Sequence, residues 1–245
     1  MYFPTTHWSL LAQASLHGET GARQALEELC RRYWLPLHSF IRSRGYTEAE
    51  AQDLTQEFFL HLLEHSTLKK ANRLQGKFRS FLLGALVRFL GDQRDRNNAQ
   101  KRGRGAVHLS VEEADTKLAG APDPGSNFFD REWALVILEN ALRQVQTEFA
   151  GREEPKFAVL RSFLPGSVET PSYEAAAGEL GVSVPALKSE VHRLRQRFRG
   201  LVRQEVASTV SAPHEIDEEM AHLQEVLMDR GSDFAPRLKP PPELS

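Results

Sequence analysis

Two histidines four residues apart, in His61-Leu62-Leu63-Glu64-His65, have types and spacing that could do chemistry. Imidazoles at i and i+4 share one face of a helix and could hold zinc. An intervening glutamate could then act as general base, which is the inverted zinc-peptidase pattern. Such a site needs a third protein ligand, and no downstream histidine or acidic motif offers a persuasive one. Two histidines on the exposed side of an amphipathic helix have the same spacing. The zinc-hydrolase reading through His61, Glu64 and His65 is therefore remote, and the expectation is no metal, no cofactor and no catalytic centre. Cys30 is the single cysteine, which excludes an internal disulfide and suits a cytoplasmic site. It lies in a helical pattern as a small apolar core residue rather than a nucleophile. There is no Gly-rich phosphate loop and no nucleophile elbow.

The chemistry that remains is that of charge. The net charge of -2 over 245 residues conceals segregation. Arg73 to Arg104 holds nine Lys or Arg against Asp92 and Asp95. Pro185 to Arg203 holds Lys188, Arg193, Arg195, Arg197, Arg199 and Arg203 against Glu190. Tyr46 to Ser66 holds five acids and no Lys or Arg, and Glu205 to Glu225 holds six acids and again none. Two basic blocks set apart from acidic ones predict two surfaces for polyanions and others for different partners.

In the second basic block, Leu187, Val191, Leu194 and Phe198 form one narrow helical stripe, the expected core face. The opposite arc holds Pro185, Ser189, His192, Arg193 and Gln196, flanked by Ala186, Lys188 and Arg195. Small and polar side chains there can approach base edges, while the flanking cations reach phosphates. A solvated Arg-rich helix has the same composition. In the first block, Lys77, Phe78, Arg79 and Phe81 mix aromatic rings with cations, and Arg88, Arg94, Arg96, Lys101 and Arg102 follow. Rings can stack on unpaired bases while cations track the backbone, which suits melted single-stranded DNA. Phe78, Phe81 and Phe89 fit equally well as core residues.

Helical periodicity runs through the elements that must position these groups. It begins near Ala22, with Pro36 predicted to kink or end the first long helix. Gly45 reads as a C-cap, and Thr47 as an N-cap with Glu50 completing a capping box. A long helix is predicted from about Phe78 to Ala99, others from Phe128 and over 157–164, and an acidic one over Glu215 to Met228. No convincing strand pattern occurs in the first half. Ser172 caps a short helix, Gly181 makes the turn and Ser183 caps a longer basic helix to about Val206, which is a helix-turn-helix signature. The fold class expected is all-α, with two helical domains joined by a flexible linker. The expected division is an N-terminal extension 1–21, a first domain 22–102, a linker 103–127, a helix-turn-helix domain 128–206 and an acidic C-terminal extension 207–245. No secretory signal and no membrane-spanning run is expected from the pattern.

Asp53-Leu54-Thr55-Gln56-Glu57-Phe58-Phe59 resembles the "D-L-x-Q-E-x-F" signature of region two of bacterial sigma factors. Gly76 to Leu82 resembles the segment that follows it, and Tyr173 to Arg199 resembles the region-four helix-turn-helix. In this order and spacing, over roughly residues 22 to 206, they resemble the extracytoplasmic-function (ECF) group. The resemblance implies a non-enzymatic subunit that binds core RNA polymerase and directs promoter recognition and transcription initiation in the cytoplasm. It implies docking on polymerase by Asp53, Leu54, Gln56, Glu57 and Phe58. It implies reading of the proximal promoter element by the stretch from Lys77 to Arg102, and of the upstream element by the helix after Ser183. An anti-sigma factor is a further partner implied by the family. The chain departs where the family usually has Trp, at Phe81, and often Asn, near Arg88. The opening Phe3 to Leu11 and the tail after Ala207 lie outside the minimal pattern. A helix-turn-helix regulator working without polymerase explains the second domain but neither the Asp53 to Phe59 block nor the Phe78 to Phe81 run.

Overall fold

Leu29, Tyr33, Leu37, Phe40 and Ile41 recur at helical spacing and are all buried, which fixes the inner face of the first long helix. In the computed structural model, which describes residues 6–14, 21–64, 76–102, 126–149, 154–167 and 169–228, every regular element among those residues is helical. For residues 64 and 97–102 the backbone alone is described. The elements are α1 (His7–Ala14), α2 (Ala22–Ser43), α3 (Glu48–Glu64), α4 (Phe78–Arg102), α5 (Ser126–Glu148), α6 (Glu154–Arg161), α7 (Tyr173–Leu180), α8 (Val184–Ala207) and α9 (Glu215–Met228). The all-α expectation is met. The expected linker falls on residues outside those described, apart from 126 and 127, which open α5.

Pro36 does not end α2, which continues to Ser43. A proline inside a helix lacks one N–H and crowds the preceding turn, at a cost of about 3 kcal/mol. Leu37, Phe40 and Ile41 follow it and are fully buried. Burying each contributes roughly 1.5–3 kcal/mol, so three such residues outweigh the break. Gly45 then takes a positive φ of 90° and the chain turns. Thr47 Oγ1 accepts from the Glu50 N–H at 3.3 Å, and the Glu50 carboxylate accepts from the Thr47 N–H at 2.7 Å, forming the expected capping box. Pro155 sits in the first turn of α6, where an N–H has no intrahelical acceptor to lose.

The chain divides into two compact units. The first runs to Trp133 and takes in Ser208–Glu219 as well. Its centre is aromatic, with Tyr33, Phe40, Phe58, Phe78 and Phe129 fully or almost fully buried. Phe58 and Phe89 meet at 5.6 Å between ring centres, and Tyr33 and Phe78 at 5.3 Å. The second unit covers Ala134–Ala207 and the chain from Met220. Ala134, Ile137, Ala141 and Val145 give the inner face of α5 there, and Leu187, Val191, Leu194 and Phe198 that of α8. The stripe read from the α8 sequence is thus the core stripe. Ser172 Oγ accepts from the Ala175 N–H at 3.1 Å, Gly181 turns at φ 65°, and Val182 N–H reaches back to the Ala177 carbonyl at 3.0 Å. These caps set the short helix, the turn and the start of the longer helix expected after Ser172.

Candidate nucleic-acid interface

The core stripe of α8 leaves its other side to solvent. Pro185, Ala186, Lys188, Ser189, His192, Arg193 and Arg195 are all exposed. Not all are equally disposed toward a ligand. Arg195 Nε donates to the Phe163 carbonyl at 3.1 Å, so part of its guanidinium holds the turn before α7. Lys188 Nζ lies 5.3 Å from the Tyr173 ring centre, a cation–π contact that ties the two helices of the motif. Ser189 Oγ donates back to the Pro185 carbonyl at 3.1 Å. Arg197 donates to Glu148 at 2.9 Å and Lys156 pairs with Glu190 at 2.9 Å, which neutralises two cations on the flank. Arg193 lines a cleft of about 330 Å³ beside Glu148, Lys156 and Arg197.

On α3 the exposed residues Asp53, Gln56, Glu57 and Leu60 follow i, i+3, i+4, i+7 and make one stripe. Leu60 is 56 % exposed, an apolar residue in the middle of acids that the motif reading did not single out. Its spacing from Asp53 would have flagged it. Leu54 is half-buried, and Phe58 is in the core against Phe59 and Phe89. Phe58 cannot be a surface contact in this conformation, because 51, 55, 58 and 62 form the inner face of the same helix. Glu57 accepts from Gln93 Nε2 at 2.6 Å, linking α3 to α4. His61 packs at 5.3 Å from the Phe89 ring, whereas the Glu64 side chain and His65 fall outside the described residues.

The start of α4 differs most from a displayed DNA surface. Phe78 is fully buried and Phe81 nearly so. Trp8 meets Phe78 at 4.9 Å and Phe81 at 5.0 Å between ring centres, and His7 meets Phe78 at 5.7 Å. These rings build the core together with α1, which lies in the opening segment outside the minimal pattern. In this conformation they are packing residues, not stacking platforms. Lys77 and Arg79 are both in ion pairs with acids from distant parts of the chain. Arg88 is half-buried and its guanidinium lies along Gly84, while Arg94 and Arg96 are exposed. Arg94 shares a cleft of about 200 Å³ with Arg44 and Tyr46. Burial first, and the Arg94 charge second, lower the Arg44 pKa. Lys101 and Arg102 end α4, with side chains outside the described set.

Two buried titratable groups take no part in these surfaces. Burial, assisted by Arg32, pushes the His7 pKa down to about 3 against the opposing pull of Glu28. The neutral ring lies 2.6 Å from Tyr33 Oη and 3.2 Å from Ser208 Oγ. Burial, with the nearby Glu27 charge, pushes the Cys30 thiol up to about 12, which keeps it protonated and unreactive at neutral pH.

The chain is similar to an ECF RNA polymerase sigma factor. That relative is the ECF RNA polymerase sigma factor SigE of Mycolicibacterium smegmatis, 24 % identical over 195 residues, which span 80 % of this chain and 68 % of the relative. No family model matches the chain. No solved structure matches it either. No helix among the described residues is long and apolar enough to cross a membrane.

Proposed function

We propose that this protein is a sigma-type subunit that binds core RNA polymerase and directs it to promoters in the cytoplasm, with no catalytic centre of its own. The observation that carries the reading is the division of α8. Its inner stripe is buried, and its outer arc presents small, polar and cationic side chains beyond a capped turn. A helix so divided can enter a major groove with its first turns over the bases. The likeness to an ECF sigma factor supports the same assignment over most of the chain.

In this reading Asp53, Gln56, Glu57 and Leu60 form the polymerase-docking stripe, with Leu54 at its edge and Phe58 supporting it from inside. Pro185, Ala186, Ser189, His192 and Arg193 face upstream-element bases, while Lys188 and Arg195 stand at the phosphates. Lys77, Arg79, Arg88, Arg94, Arg96, Lys101 and Arg102 follow the proximal element. The test is affinity purification with core polymerase followed by directed initiation on genomic DNA. Polymerase binding and discrete start sites are expected. Duplex binding by the chain alone, with no polymerase association, would establish a polymerase-independent regulator instead.

A further inference from the structure

The proposed proximal-element surface begins at Lys77 and Arg79, and in this structure both cations are already occupied. Arg79 donates through Nη1 to Asp130 at 2.7 Å and through Nε and Nη2 to the two oxygens of Glu219. Its guanidinium carbon also lies 5.3 Å from the Trp133 ring centre. Lys77 Nζ is 3.2 Å from Glu219 and 3.5 Å from Glu218. Glu219 has no exposed surface, and the Arg79 side chain is only 12 % exposed. Two cations therefore face three carboxylates, and the patch carries an excess of one negative charge.

The acids are brought there by a backbone clasp. Residues 208–214, between α8 and α9, form no helix. The Ser208 carbonyl accepts from the His7 N–H at 2.9 Å, and the Thr209 carbonyl accepts from the Phe78 N–H at 2.8 Å. Ser211 Oγ accepts from the Gly76 N–H and donates to the Gly76 carbonyl, both at 3.0 Å. Glu215 folds back on the Ser211 and Ala212 N–H groups at 2.9 Å each, which fixes the entry to α9 and aims its first turn at Lys77 and Arg79. The Phe78 N–H is the first of α4, where a helix has donors without internal acceptors and a positive dipole end, and the Gly76 N–H lies just before it. A phosphate would use the same donors and the same two cations.

We propose that Ser208–Glu219 is an internal strap that covers the nucleic-acid-binding start of α4, its carboxylates standing where DNA phosphates would. The strap regulates the surface assigned under the function above and rests on that assignment. The guanidinium fork of Arg79 receives a carboxylate in the same bidentate geometry in which it receives a phosphate. Exchange of one for the other conserves the charge-assisted hydrogen bonds of Arg79 and exposes Lys77. Nucleic acid and strap are then mutually exclusive at this patch.

The test uses the full chain and a fluorescent single-stranded oligonucleotide, with affinity measured across a salt series. Glu218→Gln removes one exposed carboxylate from Lys77, and Glu218→Gln with Glu219→Gln removes both acids of α9. Full release of one cation steepens the salt dependence by about 0.7 in log–log slope, which is about fivefold tighter binding at 0.1 M salt. Glu218→Gln, which leaves Lys77 paired with Glu219 at 3.2 Å, should give part of that gain and the double change all of it. The gain of Glu218→Gln should vanish when Lys77→Ala is added. It should not occur in Glu225→Gln, an equal charge change at a residue that faces His222 instead. Unchanged affinity and slope in Glu218→Gln overturns the strap, and does so even if the buried Glu219→Gln change unfolds the protein. A polymerase pull-down on the same proteins separates the two assignments. Polymerase binding with unchanged DNA affinity leaves the sigma assignment standing and removes the strap. A DNA gain without polymerase binding does the reverse.

Discussion

Arg193 shows how far a single residue could be understood from its position in the chain. Its place on the outer arc of α8 follows from the spacing of Leu187, Val191, Leu194 and Phe198, and the structure exposes it there. Arg193→Ala is expected to lower promoter affinity by about 1–3 kcal/mol and to relax preference at one base position, measured by binding to a set of single-base promoter variants. A loss equal for every sequence would assign it to a phosphate. Arg79 was not legible in the same way. Beside Phe78 and Phe81 it reads as a DNA contact, yet its partners Asp130 and Glu219 lie 51 and 140 residues away. The charge pattern indicated that acids and bases were segregated, but local spacing carries no information on which would meet. His7 was equally silent, since its burial depends on Tyr33 and Ser208. Its depressed pKa has a definite consequence. Between about pH 6.5 and 3 the unfolded chain takes up a proton that the folded one does not. Stability should therefore fall with decreasing pH in that window, by up to about 1.4 kcal/mol per pH unit from this group. Denaturant titrations of the parent and of His7→Phe should differ in slope across the window. Parallel profiles would show that His7 is accessible to protons in the folded state.

The elements were the most legible level, because caps and apolar periods are local. The capping box at Thr47, the N-caps at Ser172 and Ser183 and the span of the acidic helix α9 all match their sequence signals. Ser172→Ala should cost about 1 kcal/mol of stability, read as a lowered denaturation midpoint, since the Ala175 N–H loses its acceptor. Tertiary packing decides what a local rule leaves open. The buried residues after Pro36 carry α2 past it, and Phe58 faces inward within the Asp53 to Phe59 block. The same geometry adds Leu60 to the exposed side of α3. Replacing Asp53 and Gln56 together by Ala should weaken polymerase association without changing the helical content, since both are exposed and neither supports the core. Retention of full affinity in a pull-down would move the dock off this stripe.

For the whole molecule, net charge is a poor guide and its distribution a good one. The value of -2 is a cancellation between cationic helices and acidic stretches. One acidic stretch lies along α3 as an exposed stripe, and the other supplies Glu218 and Glu219 to the start of α4. The acids of the C-terminal extension therefore belong to the first compact unit up to Glu219, not to an independent tail. The extension could be recognised as helical and acidic from its sequence, but its destination depends on contacts more than a hundred residues apart. The most direct measurement of what this chain does is in-vitro transcription with purified core polymerase on a genomic library, followed by start-site mapping. The expected result is initiation at a discrete set of sites sharing an upstream element, lost with Asp53→Ala/Gln56→Ala and shifted in preference with Arg193→Ala. Initiation no different from core polymerase alone would contradict the sigma assignment.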